Sequence, residues 1–194
     1  MNDLNDLNDL NDLNDLNRHS PGLILVYTGD GKGKTTAAFG LALRAAGRGL
    51  RVHVVQFIKG EMDTGEIEMI AKALPLITVE RVGKGFTWRR DVVPTFEDHV
   101  AAAREGLSRA REAVTGGNYQ VVILDEINVT IKKKLLPVED VVALVDARPR
   151  RLHLVLTGRG APEELVERAD LVTEMRCVKH PFQKGIPAQI GIDK

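Results

Sequence analysis

From Leu23 onward, short apolar runs alternate with stretches of helical period. Leu23–Thr28 (LILVYT), Arg51–Ile58 (RVHVVQFI), Gln120–Leu124 (QVVIL) and Leu152–Leu156 (LHLVL) are too short and too continuously apolar for surface helices, and they predict buried strands. Ile77–Val82 (ITVERV) alternates like a more exposed strand, and Leu171–Met175 is read as the last one. Between them, Lys34–Arg48, Glu66–Ala73, Thr95–Val114, Val138–Ala147 and Pro162–Arg168 predict helices. Gly49 stops the first, Thr115-Gly116-Gly117-Asn118 stops the long third, and Pro162 suits a first helical turn. Gly83–Pro94 reads as a loop. Strands that alternate with helices predict a parallel sheet covered on both faces, with ligands bound beyond the C-terminal strand ends.

Residues 2–16 are five copies of Asn-Asp-Leu. A three-residue step falls about 60° short of a helical turn, so these leucines spread around a helix and form no stripe. Asn and Asp also favour caps and turns over helix interiors. A mobile tail over 1–21 is the expectation, with ordering by docking as the alternative. Ser20-Pro21-Gly22 marks the border with a domain over 22–194.

The 194 residues suit one domain, and 43% hydrophobic with 28% charged residues is ordinary for a soluble protein. With 27 basic and 27 acidic residues the formal net charge is +0. No global field draws the chain to nucleic acid or anionic membrane, and Lys132–Lys134 and Arg148–Arg151 read as solvated faces. The lone Cys177 excludes an internal disulfide and a cysteine-rich zinc site, which fits a reducing cytoplasm. No run of apolar residues is long enough to cross a membrane, and the N-terminus does not read as a secretory signal.

The first strand runs into Thr28-Gly29-Asp30-Gly31-Lys32-Gly33-Lys34-Thr35-Thr36, and a helix follows. Gly33, Lys34 and Thr35 fit the phosphate-loop pattern Gly-x4-Gly-Lys-Ser/Thr, while Thr28 stands where that pattern has its first glycine. Gly29 and Gly31 still let backbone N–H groups converge on phosphate oxygens at a helix N-terminus. Lys34 supplies positive charge and Thr35 a hydroxyl for Mg²⁺. The strand QVVIL ends in Asp125-Glu126, an acidic pair placed to hold the metal directly or through water. Leu156-Thr157-Gly158-Arg159-Gly160 closes a later strand, where Arg159 could reach phosphates at the same sheet edge. Gly85-Phe86-Thr87-Trp88 puts two large aromatics in one glycine-flanked segment, where covering a small core is the competing reading. On the phosphate loop alone, three readings stand. One is a P-loop ATPase or kinase using Asp125 and Glu126 for metal and water activation. The others are a nucleotide-binding regulator and a group-transfer enzyme.

The ordered set TGDGKGKTTAAFG, VQFIKG, GFTW, LDE, ARP, LTGRG and KHPF…G…AQ.GI favours the third. From about Gly22 to the C-terminus it resembles the P-loop ATP:corrinoid adenosyltransferases, in whose loop a threonine at position 28 is usual. The resemblance implies a P-loop NTPase-like (RecA-like) α/β fold in a single domain. It implies attack of Co(I) of a reduced corrinoid on C5′ of ATP, with triphosphate leaving. Gly29, Asp30, Gly31, Lys32, Gly33, Lys34, Thr35 and Thr36, with Arg159, would then hold the triphosphate. Thr35, Asp125 and Glu126 would serve Mg²⁺ (or Mn²⁺), and Phe86 and Trp88 would press on the corrinoid's lower face and keep cobalt four-coordinate. It also implies a homodimer and an external electron donor such as a reduced flavoprotein. The Asn-Asp-Leu tail departs from the N-terminal segment with which such proteins cover the site.

Overall fold

The computed structural model describes residues 20–58, 64–83 and 94–193. Six strands form one sheet in the order β3-β2-β4-β5-β1-β6, and every adjacent pair is parallel. They are β1 (Ile24–Thr28), β2 (Val52–Gln56), β3 (Ile77–Arg81), β4 (Val121–Asp125), β5 (His153–Thr157) and β6 (Leu171–Glu174). The helices are α1 (Lys34–Ala46), α2 (Gly65–Ala73), α3 (Phe96–Thr115), α4 (Ile127–Lys132), α5 (Val138–Asp146) and α6 (Glu163–Val166). A short 3₁₀ turn follows at Pro181–Lys184. The alternation predicted from the chain is present, with strand ends shifted by one or two residues. α4 and the 3₁₀ turn are additions to it.

Strand side chains point alternately to the two faces, which divides the core in two. Leu25, Val52, Val54, Val121, Ile123 and Val155 pack with α1 and α2. Val26, Val55, Val122, Leu124, Leu154 and Leu156 pack with α3 to α6. Because helices cover both faces, the central strands read as continuous apolar runs. β2 and β4 are buried along their whole length, whereas edge strand β3 is mostly half-buried and edge strand β6 is exposed.

Local signals explain the boundaries. Thr95 caps α3 through a capping box: its Oγ1 accepts from Asp98 N at 3.1 Å, and Asp98 Oδ2 accepts from Thr95 N at 2.8 Å. Ala102, Ala103, Gly106, Leu107 and Ala110 form the buried stripe of α3. A Cβ on Gly106 would lie 2.5 Å from Val82 Cγ2, so that glycine lets the helix approach the end of β3. The parallel register brings the C-terminal tips of β1, β2, β4 and β5 to one edge of the sheet, where Gln56 stands opposite Asp125.

Candidate active site

The loop from Thr28 to Thr35 wraps the N-terminus of α1. Gly33 sits at the helix start with φ 114°, and Gly29 has φ 90°, a region that glycine enters without steric cost. The loop is backed by the strand beside it. Gly31 N donates to Met175 O at 2.6 Å, and Met175 N donates to Thr28 O at 2.9 Å. A Cβ on Gly31 would lie 2.6 Å from Met175 O, so the glycine is required by the backbone that follows β6.

Lys34 is buried, and its ammonium donates to Gly29 O at 2.7 Å and Gly31 O at 2.6 Å. The lysine of the phosphate loop thus braces the loop itself. Burial pushes its pKa below the usual lysine range. Glu126, Asp30 and Asp125 oppose the shift by attraction, and Arg159 adds to it by repulsion. Four charges from three segments therefore act on one ammonium. Lys32 points elsewhere: it is half-exposed and forms an ion pair with Asp193. Asp30 and Thr36 are exposed at the loop rim.

Asp125, with no exposed surface, is the hub of the polar network. Its Oδ1 accepts from Thr35 Oγ1 at 2.9 Å and from Thr157 Oγ1 at 2.8 Å, and its Oδ2 accepts from Gln56 Nε2 at 2.9 Å. One carboxylate so joins α1, β5 and β2. Thr157 also accepts from Glu126 N at 2.9 Å, which ties the β4 tip to the β5 tip. Glu126 adopts φ 66°, a left-handed conformation that a non-glycine residue seldom takes, and α4 starts directly after it. Its carbonyl accepts from Thr130 N and from Thr130 Oγ1.

Beyond β5, the residues after Thr157 are held from two sides. Asn128 Nδ2 donates to Gly158 O at 3.3 Å, and Ala161 N donates to Thr28 Oγ1 at 3.1 Å. Arg159 between them is exposed. The hydroxyl of Thr28, at the position where the general phosphate-loop pattern carries glycine, is thus the anchor of a neighbouring loop.

The geometry brings together Lys34, Thr35, Asp125, Glu126 and Arg159. Phe86 and Trp88 lie outside the described residues, as do the Asn-Asp-Leu repeats. Sequence reasoning missed Gln56, Thr157, Asn128 and the backbone of Met175. A usable signal existed for the first two, since each is the polar residue that ends an apolar strand at the same sheet edge as Asp125.

Thr35 Oγ1 and Asp125 Oδ1 are hard oxygen donors side by side at the mouth of the phosphate loop, and they fit Mg²⁺. Among the described residues no group of three or more His, Cys, Asp or Glu side chains forms a metal cage. Such a donor pair suits an ion that shares its shell with phosphate oxygens and water.

A parallel sheet with a glycine-rich loop on a helix N-terminus, a buried lysine and a strand-tip Asp bonded to the loop threonine defines a P-loop nucleotide-binding protein. Likeness to a solved structure supports the fold: the RadB recombinase matches with a TM-score of 0.50 at 15% identity, over 81% of this chain and 76% of that one. The family model for ATP:corrinoid adenosyltransferase BtuR/CobO/CobP matches residues 20–193, and the chain belongs to that family. It is 45% identical over 174 residues to the corrinoid adenosyltransferase of Sinorhizobium sp, covering 89% of this chain and 80% of that protein. Identity to the corrinoid adenosyltransferase of Escherichia coli K12 is 42% over 172 residues, covering 89% of this chain and 85% of that one. For the Pseudomonas aeruginosa corrinoid adenosyltransferase it is 40% over 176 residues, covering 91% and 85%.

Proposed function

We propose that the protein transfers the 5′-deoxyadenosyl group of ATP to Co(I) of a reduced corrinoid and releases inorganic triphosphate. The observation that carries this reading is the family match over residues 20–193, which includes the whole phosphate loop and the Asp125 network. Co(I) supplies the electron pair of the new cobalt–carbon bond. The bond from C5′ to oxygen breaks, and triphosphate leaves with its pair.

The chain's task is to grip a leaving group that gains charge. The N–H groups of Gly29–Thr36 line the triphosphate. Lys34 exchanges its bonds to Gly29 O and Gly31 O for phosphate oxygens, and Arg159 approaches from the β5 side. Fixed positive charge of this kind lowers the barrier because it is in place before the reaction begins. Thr35 and Asp125 would hold Mg²⁺, with Glu126 beside them, and Mn²⁺ would suit the same donors. Held there, the ion would supply charge neutralisation to the triphosphate. Gln56 and Thr157 keep the Asp125 carboxylate turned toward Thr35.

Phe86 and Trp88 exclude a lower axial ligand from cobalt. An axial donor stabilises Co(II) more than Co(I), so its exclusion eases reduction by an external donor such as a reduced flavoprotein. A cytoplasmic setting and a homodimer belong to the same reading. The open edge of β6 and the exposed Phe182 and Ile190 support the dimer.

The test is anaerobic. The protein is mixed with Mg-ATP and chemically reduced cobalamin or cobinamide, and both Co(I) absorbance and the phosphate product are followed. Loss of Co(I) with a light-sensitive adenosylcorrinoid and triphosphate is expected. ADP and phosphate with no corrinoid change would overturn the reading in favour of a P-loop ATPase. Trp88→Ala is expected to slow turnover from Co(II) more than from preformed Co(I), and equal losses would reduce Trp88 to packing.

A further inference from the structure

The segment Gly158–Ala161 is fixed at its two ends and open in its middle. Asn128 Nδ2 holds Gly158 O at 3.3 Å, and Thr28 Oγ1 holds Ala161 N at 3.1 Å. Gly158 is buried, whereas Arg159 and Gly160 face solvent. The backbone is specialised at the same places, with φ 128° at Gly158 and 67° at Gly160. A Cβ on Gly158 would lie 2.9 Å from Val129 N and 3.1 Å from Asn128 Cβ, so the first turn of α4 presses directly on the loop. A Cβ on Gly160 would meet the Lys132 side chain at 2.9 Å, at the other end of α4.

Asn128 is an unusual choice for a packing residue. It has no exposed surface, and its Oδ1 has no hydrogen-bond partner among the described residues. The Gly158 carbonyl sets the amide's orientation, because reversing the amide would face oxygen with oxygen. A buried acceptor without a donor is destabilising, so an apolar side chain would serve stability better. The side chain is suited instead to fixing one carbonyl. Thr28 poses the same question, since the general phosphate-loop pattern places glycine there. A glycine has no acceptor to offer Ala161 N.

We propose that Asn128 and Thr28 are positioning residues for Arg159, which together hold the Gly158–Ala161 segment so that the guanidinium meets the triphosphate on the Gly29–Thr36 loop. The inference rests on the reading of Arg159 as a phosphate contact. Thr28 directly precedes the phosphate loop, so a single residue fixes the spacing between the two phosphate-binding segments. An arginine carried on a fixed backbone loses less freedom when it binds, and that appears as affinity for the leaving group.

The experiment is a double-mutant cycle, read by calorimetric binding of Mg-tripolyphosphate and by kcat and KM for ATP, with thermal melts alongside. Arg159→Ala is expected to weaken tripolyphosphate binding about tenfold or more, the worth of one charged hydrogen bond. Asn128→Ala and the near-isosteric Thr28→Val are each expected to weaken it severalfold, mainly through KM, and Thr28→Ser to restore it. In the Arg159→Ala background the same substitutions should cost less than about twofold. Full losses from Asn128→Ala and Thr28→Val in that background would show that they act on the fold alone and overturn the inference. No loss from Arg159→Ala by itself would overturn the phosphate role of Arg159, and the inference with it. Thr28→Val changes little in volume, so a folded variant is available even where Asn128→Ala melts early.

Discussion

Asp125 offers a quantitative test of how the site is held. Asp125→Ala removes the acceptor of three donors: Thr35 Oγ1, Thr157 Oγ1 and Gln56 Nε2. Thr35 is half-buried and can turn to water, but Thr157 is fully buried and Gln56 is 2% exposed, so both lose their partner with no solvent to replace it. At about 1–3 kcal/mol for each stranded donor, the loss is about 2–6 kcal/mol. Relief of the buried carboxylate's own desolvation lowers this toward about 2–4 kcal/mol. For a domain of this size, 1 kcal/mol moves Tm by about 2–4 °C, so the variant should melt roughly 5–15 °C below the parent. Asp125→Asn keeps the shape and faces Gln56 with an amide oxygen. Its NH₂ meets hydroxyls that can turn to accept, and Thr157 already accepts from Glu126 N. About 1 kcal/mol, or a few degrees, is the expected cost. The assay is a calorimetric melt without nucleotide or metal, which reads the network and not the ligand. An Asp125→Ala melt within about 1 °C of the parent, or an Asp125→Asn variant less stable than Asp125→Ala, would refute the reasoning.

Three further outcomes are expected. Gly31→Ala puts a Cβ 2.6 Å from Met175 O and should weaken binding of a fluorescent ATP analogue at least about tenfold, since backbone on both sides must move. Lys34→Ala should raise the KM for ATP and also loosen the loop it braces, which faster amide exchange at Gly29–Gly33 would reveal. His153 Nδ1 accepts from Leu23 N at 3.1 Å, and burial, then the nearby Arg148, hold its pKa below the usual histidine value. A depressed native pKa means that the unfolded chain takes up the proton first, so stability falls as pH drops below the unfolded value near 6.5. His153→Gln should therefore lose less Tm between pH 7 and pH 5 than the parent, and parallel pH–Tm curves would contradict this.

The parts legible in the sequence were those where one residue type has one physical use. The apolar runs of β1, β2, β4 and β5 could be only buried strands, and Gly33-Lys34-Thr35 after a strand could hardly be anything but a phosphate loop. Asp125-Glu126 at a strand tip was readable for the same reason. α4 was not. It opens at Glu126 in a left-handed conformation, and Val129, Thr130 and Ile131 are β-branched residues that argue against a helix. The tight junction to β5 overrides that propensity. The Asn128 contact was equally hidden, because it joins residues that meet only once β4 and β5 are side by side. Thr28 read as a departure from a pattern, and only the position of Ala161 gives its hydroxyl a purpose.

The strand that launches the phosphate loop is also the one the chain completes last. β1 pairs with β5 and β6, so Ile24 waits for Leu154 and Leu25 waits for Leu171. The loop itself is then braced by Met175. A nascent chain therefore holds the loop sequence well before it can brace the loop, which waits until Met175 has been made. Contacts this distant along the chain also form slowly. A chain cut short before Met175 would lack the brace behind Gly31. The shape of the phosphate loop thereby reports on the far end of the sheet, because the loop is braced only in molecules whose β6 is paired with β1.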